Sequence, residues 1–412
     1  MIDLPPPDKT IGIIGKTNVG KSTLFAAATL SPVEIENRPF VTLSPHVGIG
    51  YVRVTCIHKK LGLSSCNPQK GFCEAGWRFI PVKLVDIPGL IPGAHEGKGL
   101  GNKFLDSIRQ ADANIFIVDA AGSTDAQGNP VPPGTYNPVE EILWLERELD
   151  EWITGIIISD WDRFSRKVSV SGVNPIDALA QRLSGLSISK ENVQYALEYS
   201  DLTKKPLVNW TNEDIKRFAQ GLRKSKPIVV AANKIDLPQA EDNIKKMQKT
   251  LKDYTIVPIS ALAELVLRKA SRAGLIEYLP GDSDFRILDE KKLTSKQLRG
   301  LEYIKENVLR RWGSTGVQEL INKVVLEKMR MIIVYPVDDP THYTDTKGNI
   351  LPDAYLVPKG TTARDLAYMI HTDLGENFLY AIDATKSIRI SAEQVLDNNS
   401  VIKIVATTRK LK

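Results

Sequence analysis

Cysteine is scarce in this chain: Cys56, Cys66 and Cys73 are the three among 412 residues. An odd and small number excludes a disulfide framework and suits a reducing cytosol, so a cytoplasmic protein is expected. No run of about 18 apolar residues is present, so neither a membrane span nor a membrane partner is expected. Residues 1–7 lack a basic n-region and an apolar core, and are not read as a secretory signal. Neither charge sign dominates, because 54 Lys+Arg against 49 Asp+Glu leaves +5. That mild basicity permits a polyanionic partner without demanding one. Internal repeats and low-complexity tracts are also missing. What is there has the balance of a folded protein, 42% hydrophobic and 25% charged, with length for roughly two to three domains.

Short apolar runs alternate with helical stretches, the α/β pattern. Strands are expected at residues 10–14, 80–85, 115–118, 227–232 and 254–258. Runs apolar on both faces fit a mostly parallel sheet covered by helices. An insert at 138–224 carries Ile142, Leu143, Leu145, Leu149, Trp152 and Ile153 near helical spacing. Within it Asn174 precedes Pro175, a cap followed by a proline in the first turn. Further helix is expected from Ala261 to about Met329. From Met331 the texture changes to strands at 331–335 and 401–405, a strand and turn at 353–360, and a short helix at 362–371. This is a small α+β domain of about 80 residues.

The chemistry concentrates after the first strand. Gly15, Lys16, Thr17, Asn18, Val19, Gly20, Lys21 and Ser22 match the P-loop pattern, and Thr23 continues into a helix-forming run. Glycines let backbone N–H groups turn inward on phosphate oxygens, and the helix start adds a favourable dipole end. Lys21 is placed to reach the β- and γ-phosphates, and the Ser22 hydroxyl to bind Mg2+. Asp86 and Gly89 bracket a DxxG turn at the end of a strand. The carboxylate can hold the metal through water, and the Gly89 N–H can sense a γ-phosphate. Asn233, Lys234 and Asp236 close the fourth strand. A carboxylate there accepts the two donors of the guanine edge, a pair that adenine does not offer. Asn233 would brace the P-loop and the Lys234 stem would stack on the base. After the fifth strand, backbone N–H groups of Ser260, Ala261 and Leu262 could meet the base carbonyl.

This ordered set resembles the motifs of TRAFAC-class GTPases. Asn37, Arg38, Pro39, Phe40, Val41 and Thr42 resemble the Obg-type switch I. The glycine-rich stretch 89–102 closely resembles the Obg-type switch II. The whole chain is similar to the YchF-like branch of the Obg superfamily, and its C-terminal region resembles a TGS domain through 355–365 and 396–402. The resemblance implies a P-loop G domain at 1–137 and 225–275, a helical insert at 138–224, a helical extension at 276–330 and a small β-grasp domain at 331–412. It implies GTP and Mg2+ as cofactors, Thr42 completing the metal shell with Ser22 and Asp86, and a ribosome or RNA partner. DNA is not expected, and a monomer is favoured.

One expected part is missing. Ras-like enzymes orient the attacking water with a glutamine just after DxxG, but here that residue is Leu90. A leucine cannot align water, so slow intrinsic hydrolysis is expected. His95 is a candidate to position the water instead, and Asn18 to help hold K+ against the phosphates. An ATPase of the same fold, or an adaptor with negligible turnover, are the competing readings. His58, Cys66 and Cys73, with Cys56 nearby, invite a zinc reading, but Cys-x6-Cys is not a zinc-knuckle spacing and a packed or solvated hairpin is expected. Lys359, Arg364, Arg389, Lys403, Arg409, Lys410 and Lys412 are candidate phosphate contacts in the C-terminal domain.

Overall fold

The computed structural model describes residues 9–30, 46–87 and 111–407. Thr42, Gly89, Leu90, His95, Arg409, Lys410 and Lys412 lie outside the described residues. The chain forms two compact units. The larger joins Thr10–Gly48 to Leu84–Leu320, and the smaller joins Ile49–Lys83 to Ile321–Lys412. The strands of the first part of the chain are β1 (Thr10–Ile14), β2 (His46–Thr55), β3 (Phe72–Glu74), β4 (Trp77–Asp86), β5 (Ala113–Asp119), β6 (Ile228–Asn233) and β7 (Thr255–Pro258).

In the larger unit the end of β4, then β1, β5, β6 and β7 are neighbours in that order. The last four are parallel, in registers that pair Ile11 with Ala113, Asp119 with Asn233 and Ala232 with Pro258. β5 is buried along its whole length, which is why the sequence there carries no polar alternation. The parallel register brings the carboxyl ends of the strands to one edge, where α/β sheets bind ligands. Helices α1 (Lys21–Thr29), α8 (Ala240–Thr250) and α9 (Ala261–Arg272) belong to this unit. The last carbonyls of α1 are not left bare, since Arg268 donates to the Ala28 carbonyl at 2.7 Å.

The insert is helical: α3 (Pro138–Ile158), α4 (Trp161–Ser171), α5 (Pro175–Arg182), α6 (Lys190–Tyr199) and α7 (Asn212–Ser225). Asn137 and Asn174 cap α3 and α5 by accepting from the N–H groups of Val139 and Ile176, each before a proline in the first turn. Ser189 and Thr211 form reciprocal capping boxes for α6 and α7. Its core holds Leu179, Phe218 and Leu222, with Trp161 stacked on Trp210 at 5.2 Å between centroids. A Cβ on Gly221 would stand 2.8 Å from the Ala196 Cα, so α6 and α7 approach as closely as a glycine allows. Leu145 and Leu149 are buried in the core of the sheet, which makes α3 the element common to sheet and insert.

The long helix expected after Ala261 is interrupted. α9 ends at Arg272, Gly274 turns the chain at φ +68°, and a short antiparallel hairpin follows, β8 (Ile276–Glu277) with β9 (Arg286–Ile287). Helix resumes at α10 (Ser295–Ile304), opened by the Thr294 capping box.

In the smaller unit β2 and β4 are neighbours and β3 pairs with β4. The hairpin also holds a single helical turn, α2 (Ile57–Lys60). A second sheet runs in the order β11 (Tyr355–Pro358), β10 (Met331–Pro336), β14 (Ser400–Ala406), β12 (Phe378–Asp383) and β13 (Ile388–Ile390). β10 and β14 are parallel and their outer neighbours antiparallel. Leu366 of α11 (Ala363–Ile370) packs on Val334, Val357 and Ile402 of that sheet. This is a helix on a mixed five-stranded sheet, the β-grasp arrangement. The three cysteines are free. Cys56, His58, Cys66 and Cys73 nevertheless come together, a gathering that their sequence spacing did not anticipate.

One ion-pair group holds the insert in place. Arg223 of α7 donates to Asp150 at 2.7 Å and Glu146 at 2.6 Å, both on α3, and to the Tyr254 hydroxyl at 3.0 Å. Removing the cation strands two half-buried carboxylates. Arg223→Met should therefore lower unfolding stability by about 3 kcal/mol. Adding Glu146→Gln and Asp150→Asn should recover part of the loss, with urea unfolding as the readout.

Candidate nucleotide site

The loop after β1 is shaped by what its glycines exclude. A Cβ on Gly15 would lie 2.4 Å from the Ile117 carbonyl oxygen, and one on Gly20 would lie 2.3 Å from Asn233 Nδ2. Gly20 also sits at φ +103° at the start of α1, a conformation that side chains rarely adopt. Asn18 has φ +62°, where asparagine is tolerated better than most residues. Lys21 is buried, and its ammonium donates to the Lys16 carbonyl at 2.7 Å across the loop. Burial pulls its pKa down, while Asp86 and then Glu141 oppose that shift.

Ser22 and Asp86 meet. The Ser22 hydroxyl donates to Asp86 Oδ2 at 2.8 Å, while Asp86 Oδ1 is buried with no hydrogen-bond partner among the described residues. Burial pushes the Asp86 carboxyl up, against Lys21 and the Ser22 hydrogen bond. A hydroxyl beside a carboxylate with an unused oxygen is the hard-oxygen donor set that Mg2+ takes, with water completing the shell. The residues present therefore fit the metal.

The far end of the site is tied to the loop. Asn233 Nδ2 donates to the Val19 carbonyl at 2.8 Å, and its Oδ1 accepts the Ala261 N–H at 3.1 Å. Asp236 Oδ1 accepts from the Ser260 hydroxyl at 2.9 Å. The turn is also held from below, where the Tyr303 hydroxyl and the Trp312 indole donate to the Asp236 and Ile235 carbonyls at 3.0 and 3.2 Å. Ala261 is buried at the start of α9, and the neighbouring Leu262 is exposed. Lys234 adopts φ +69°, and its ammonium bonds Asp119 at 2.9 Å and Ser123 at 3.0 Å.

Residues 119–141 add a part that the motifs did not reveal. Asp119, at the end of β5, accepts from the Ser123 and Thr124 hydroxyls at 2.7 and 3.0 Å and fixes the loop that follows. Three consecutive P-loop side chains fasten on that loop. Lys16 donates to the Thr124 carbonyl at 3.0 Å, Thr17 to the Gln127 carbonyl at 3.3 Å and Asn18 to the Gly128 carbonyl at 2.8 Å. Gly128 lies at φ +83°, and a Cβ there would stand 2.0 Å from Thr17 Oγ1. Lys16 also lies 3.0 Å from Glu141 and 4.1 Å above the Tyr136 ring. Burial pushes the Glu141 carboxyl up to about 7, against the pull of Lys16. The turn-forming residues Asp125, Gly128 and Asn129 signal a loop in the sequence, but not what it clasps.

Gly15, Lys16, Thr17, Asn18, Val19, Gly20, Lys21, Ser22, Thr23, Asp86, Asn233, Lys234, Asp236, Ser260, Ala261 and Leu262 thus lie along one edge of the sheet. Thr42, Gly89 and His95 fall outside the described residues. Several basic candidates elsewhere are already engaged. Arg364 lies 3.7 Å from Glu393, Arg389 stacks 3.6 Å above Tyr380, and Lys403 donates to the Asp338 carbonyl. Lys359 is exposed.

Family models match three stretches: "50S ribosome-binding GTPase" over residues 10–153, "Obg-like GTPase YGR210-like, G4 motif-containing domain" over 231–339, and "TGS domain" over 341–406. A GTP-binding protein of Methanocaldococcus jannaschii is 48% identical over 97% of this chain and 99% of its own. The ribosome-binding ATPase YchF of Bacillus subtilis is 31% identical over 68% of this chain and 70% of its own. The crystal structure of a GTP-binding protein from Pyrococcus horikoshii covers 97% of this chain and 100% of its own at 38% identity, with a TM-score of 0.77.

The clearance around Gly20 yields a test. Gly20→Ala should push the Asn233 amide aside and abolish nucleotide binding. Gly300→Ala, on α10 with open space around it, should bind normally and gain up to about 1 kcal/mol of stability. Calorimetric titration and thermal melts of both variants check this.

Proposed function

The chain belongs to the Obg-like family of P-loop GTP-binding proteins, alongside YchF, and from that premise we propose that it hydrolyses GTP slowly as a Mg2+-dependent switch working on the ribosome or its RNA. The observation that carries the guanine reading is Asp236, anchored through Oδ1 by Ser260 at 2.9 Å. So fixed, its carboxylate is ready to accept the paired donors of a guanine edge. Asn233, bonded at once to the P-loop and to the start of α9, would set the distance between base pocket and phosphate loop. Lys21 would leave the Lys16 carbonyl for the phosphates, where its charge offsets that of the β- and γ-oxygens.

Ser22 and Asp86, with Thr42, would hold Mg2+, which neutralises charge on the phosphate oxygens. Leu90 cannot orient water, which supports slow turnover, with His95 as the residue to position the nucleophile. The ribosome enters through relatives named for it and through the TGS match. ATP is the second reading, favoured by relatives named as ATPases, among them YchF of Bacillus subtilis and the Obg-like ATPase 1 of Rattus norvegicus.

Equilibrium binding with Mg2+ decides between the nucleotides. GTP should bind far more tightly than ATP, and Asp236→Ala should weaken GTP by roughly 10–100-fold, the loss of a charged hydrogen-bond pair, while leaving ATP unchanged. Equal or tighter ATP binding by the parent protein would make it an ATPase.

A second expectation concerns Asn18. Its amide nitrogen is used on Gly128, which leaves Oδ1 to face a monovalent cation beside the phosphates. Turnover should then be faster in K+ than in Na+, and Asn18→Ala should remove the difference. Equal rates in both salts would reduce Asn18 to a fastening for the loop.

A further inference from the structure

The side chains of Cys56, His58, Cys66 and Cys73 have their ligand atoms within 4.8 Å of one another. Cys56 Sγ lies 3.7 Å from Cys66 Sγ, and His58 Nδ1 lies 3.6 Å from Cys66 Sγ and 3.7 Å from Cys73 Sγ. Tetrahedral zinc, with bonds of about 2.3 Å to sulfur and 2.0–2.1 Å to nitrogen, sets its sulfurs about 3.7–3.8 Å apart and sulfur from nitrogen about 3.5–3.6 Å. These three separations match the tetrahedral edges to within about 0.2 Å, and the remaining ones are at most 4.8 Å.

Hairpin pairing assembles the four groups. Cys56 precedes the single turn of α2, with its N–H bonded to the Gly76 carbonyl at 2.9 Å, and His58 sits within that turn. Cys66 comes from the connection that follows, and Cys73 from β3, where it pairs directly with Arg78 of β4. Cys56 and His58 are buried, Cys66 and Cys73 half-buried. Strand pairing, rather than a short local spacing, brings the four side chains together.

Arg78 borders the cluster. It is fully buried, and no carboxylate among the described residues pairs with it. Its Nη1 donates to the Leu351 carbonyl at 3.0 Å and lies 3.7 Å from Cys66 Sγ, while Nη2 donates to the Pro352 carbonyl at 3.2 Å. A buried guanidinium needs a compensating negative charge. Neutral thiols do not supply it. Three thiolates on a divalent ion carry one net negative charge, and Arg78 stands against them.

We propose that Cys56, His58, Cys66 and Cys73 bind one structural Zn2+, with Arg78 as the counter-charge that links the site to the chain at 351–352. Four protein ligands close the coordination sphere, so the ion is structural and has no open position for catalysis. Binding deprotonates the three thiols and releases their protons to solvent. No oxidant is required and no sulfur changes its oxidation state.

The test is metal analysis of the full chain, purified under reducing conditions without chelators. About one zinc per chain is expected, and Cys66→Ser and Cys73→Ser, each at a half-buried ligand, should lose it while still folding. Should either variant fail to fold, the parent chain still decides. Zinc removed and replaced by Co2+ should give the strong thiolate-to-cobalt absorption and the d–d bands of a tetrahedral site with three sulfur ligands and one nitrogen. Absence of stoichiometric metal together with no cobalt spectrum overturns the proposal. So does a mass two hydrogens short that reductant restores, the sign of a disulfide within the cluster, or iron bound in zinc's place. None of these readouts uses nucleotide, so they stand or fall separately from GTP binding.

Discussion

The side-chain amide of Asn233 is the contact on which the nucleotide site depends. One residue at the end of β6 binds the P-loop at Val19 and the first turn of α9 at Ala261. Three segments far apart in sequence are thereby held in one frame. The contact exists only because Gly20 lacks a Cβ, since any side chain there would occupy the space of the amide. The loop at 15–22 and the turn at 233–236 therefore constrain each other. Neither motif is complete as a local string, because the glycine of one makes room for the asparagine of the other.

Around this frame the site is stiffened by buried charge. Asp119 collects two hydroxyls and the Lys234 ammonium, and Lys16 is enclosed by Glu141, Tyr136 and the Thr124 carbonyl. Each of these groups would be costly to bury alone. Together they pin residues 123–128 against the P-loop. Lys16 is the instructive case. Its motif position leaves the residue type free, yet here the side chain is buried and joins the loop to α3.

The parts of the molecule that sequence made legible share one property: their geometry is encoded locally. The P-loop, the Asp86 turn and the Asn233 to Asp236 turn each follow an apolar strand, and parallel pairing brings their ends together. The helical insert announced itself through caps such as Asn174 before Pro175. Features set by pairing were harder to see. β2 carries alternation but adjoins a stretch without pattern, and β8 and β9 are two residues each, too short for any period. The cysteines and His58 were visible as residues, but the fold of their hairpin was not. Thr42, Leu90 and His95 remain known from sequence alone.

The smaller unit is discontinuous, built from Ile49–Lys83 and Ile321–Lys412. The carbonyls that receive Arg78 lie 273 and 274 residues downstream of it. During synthesis, which proceeds from the N-terminus at about 5–20 residues per second, the hairpin leaves the ribosome well before its partners exist. The Leu84–Leu320 part of the larger unit is made in that interval. The hairpin thus passes much of translation as an unfinished surface, with an arginine whose backbone acceptors have yet to be made. Completion of this unit is a late event in the life of each nascent chain, timed by the arrival of the C-terminal domain.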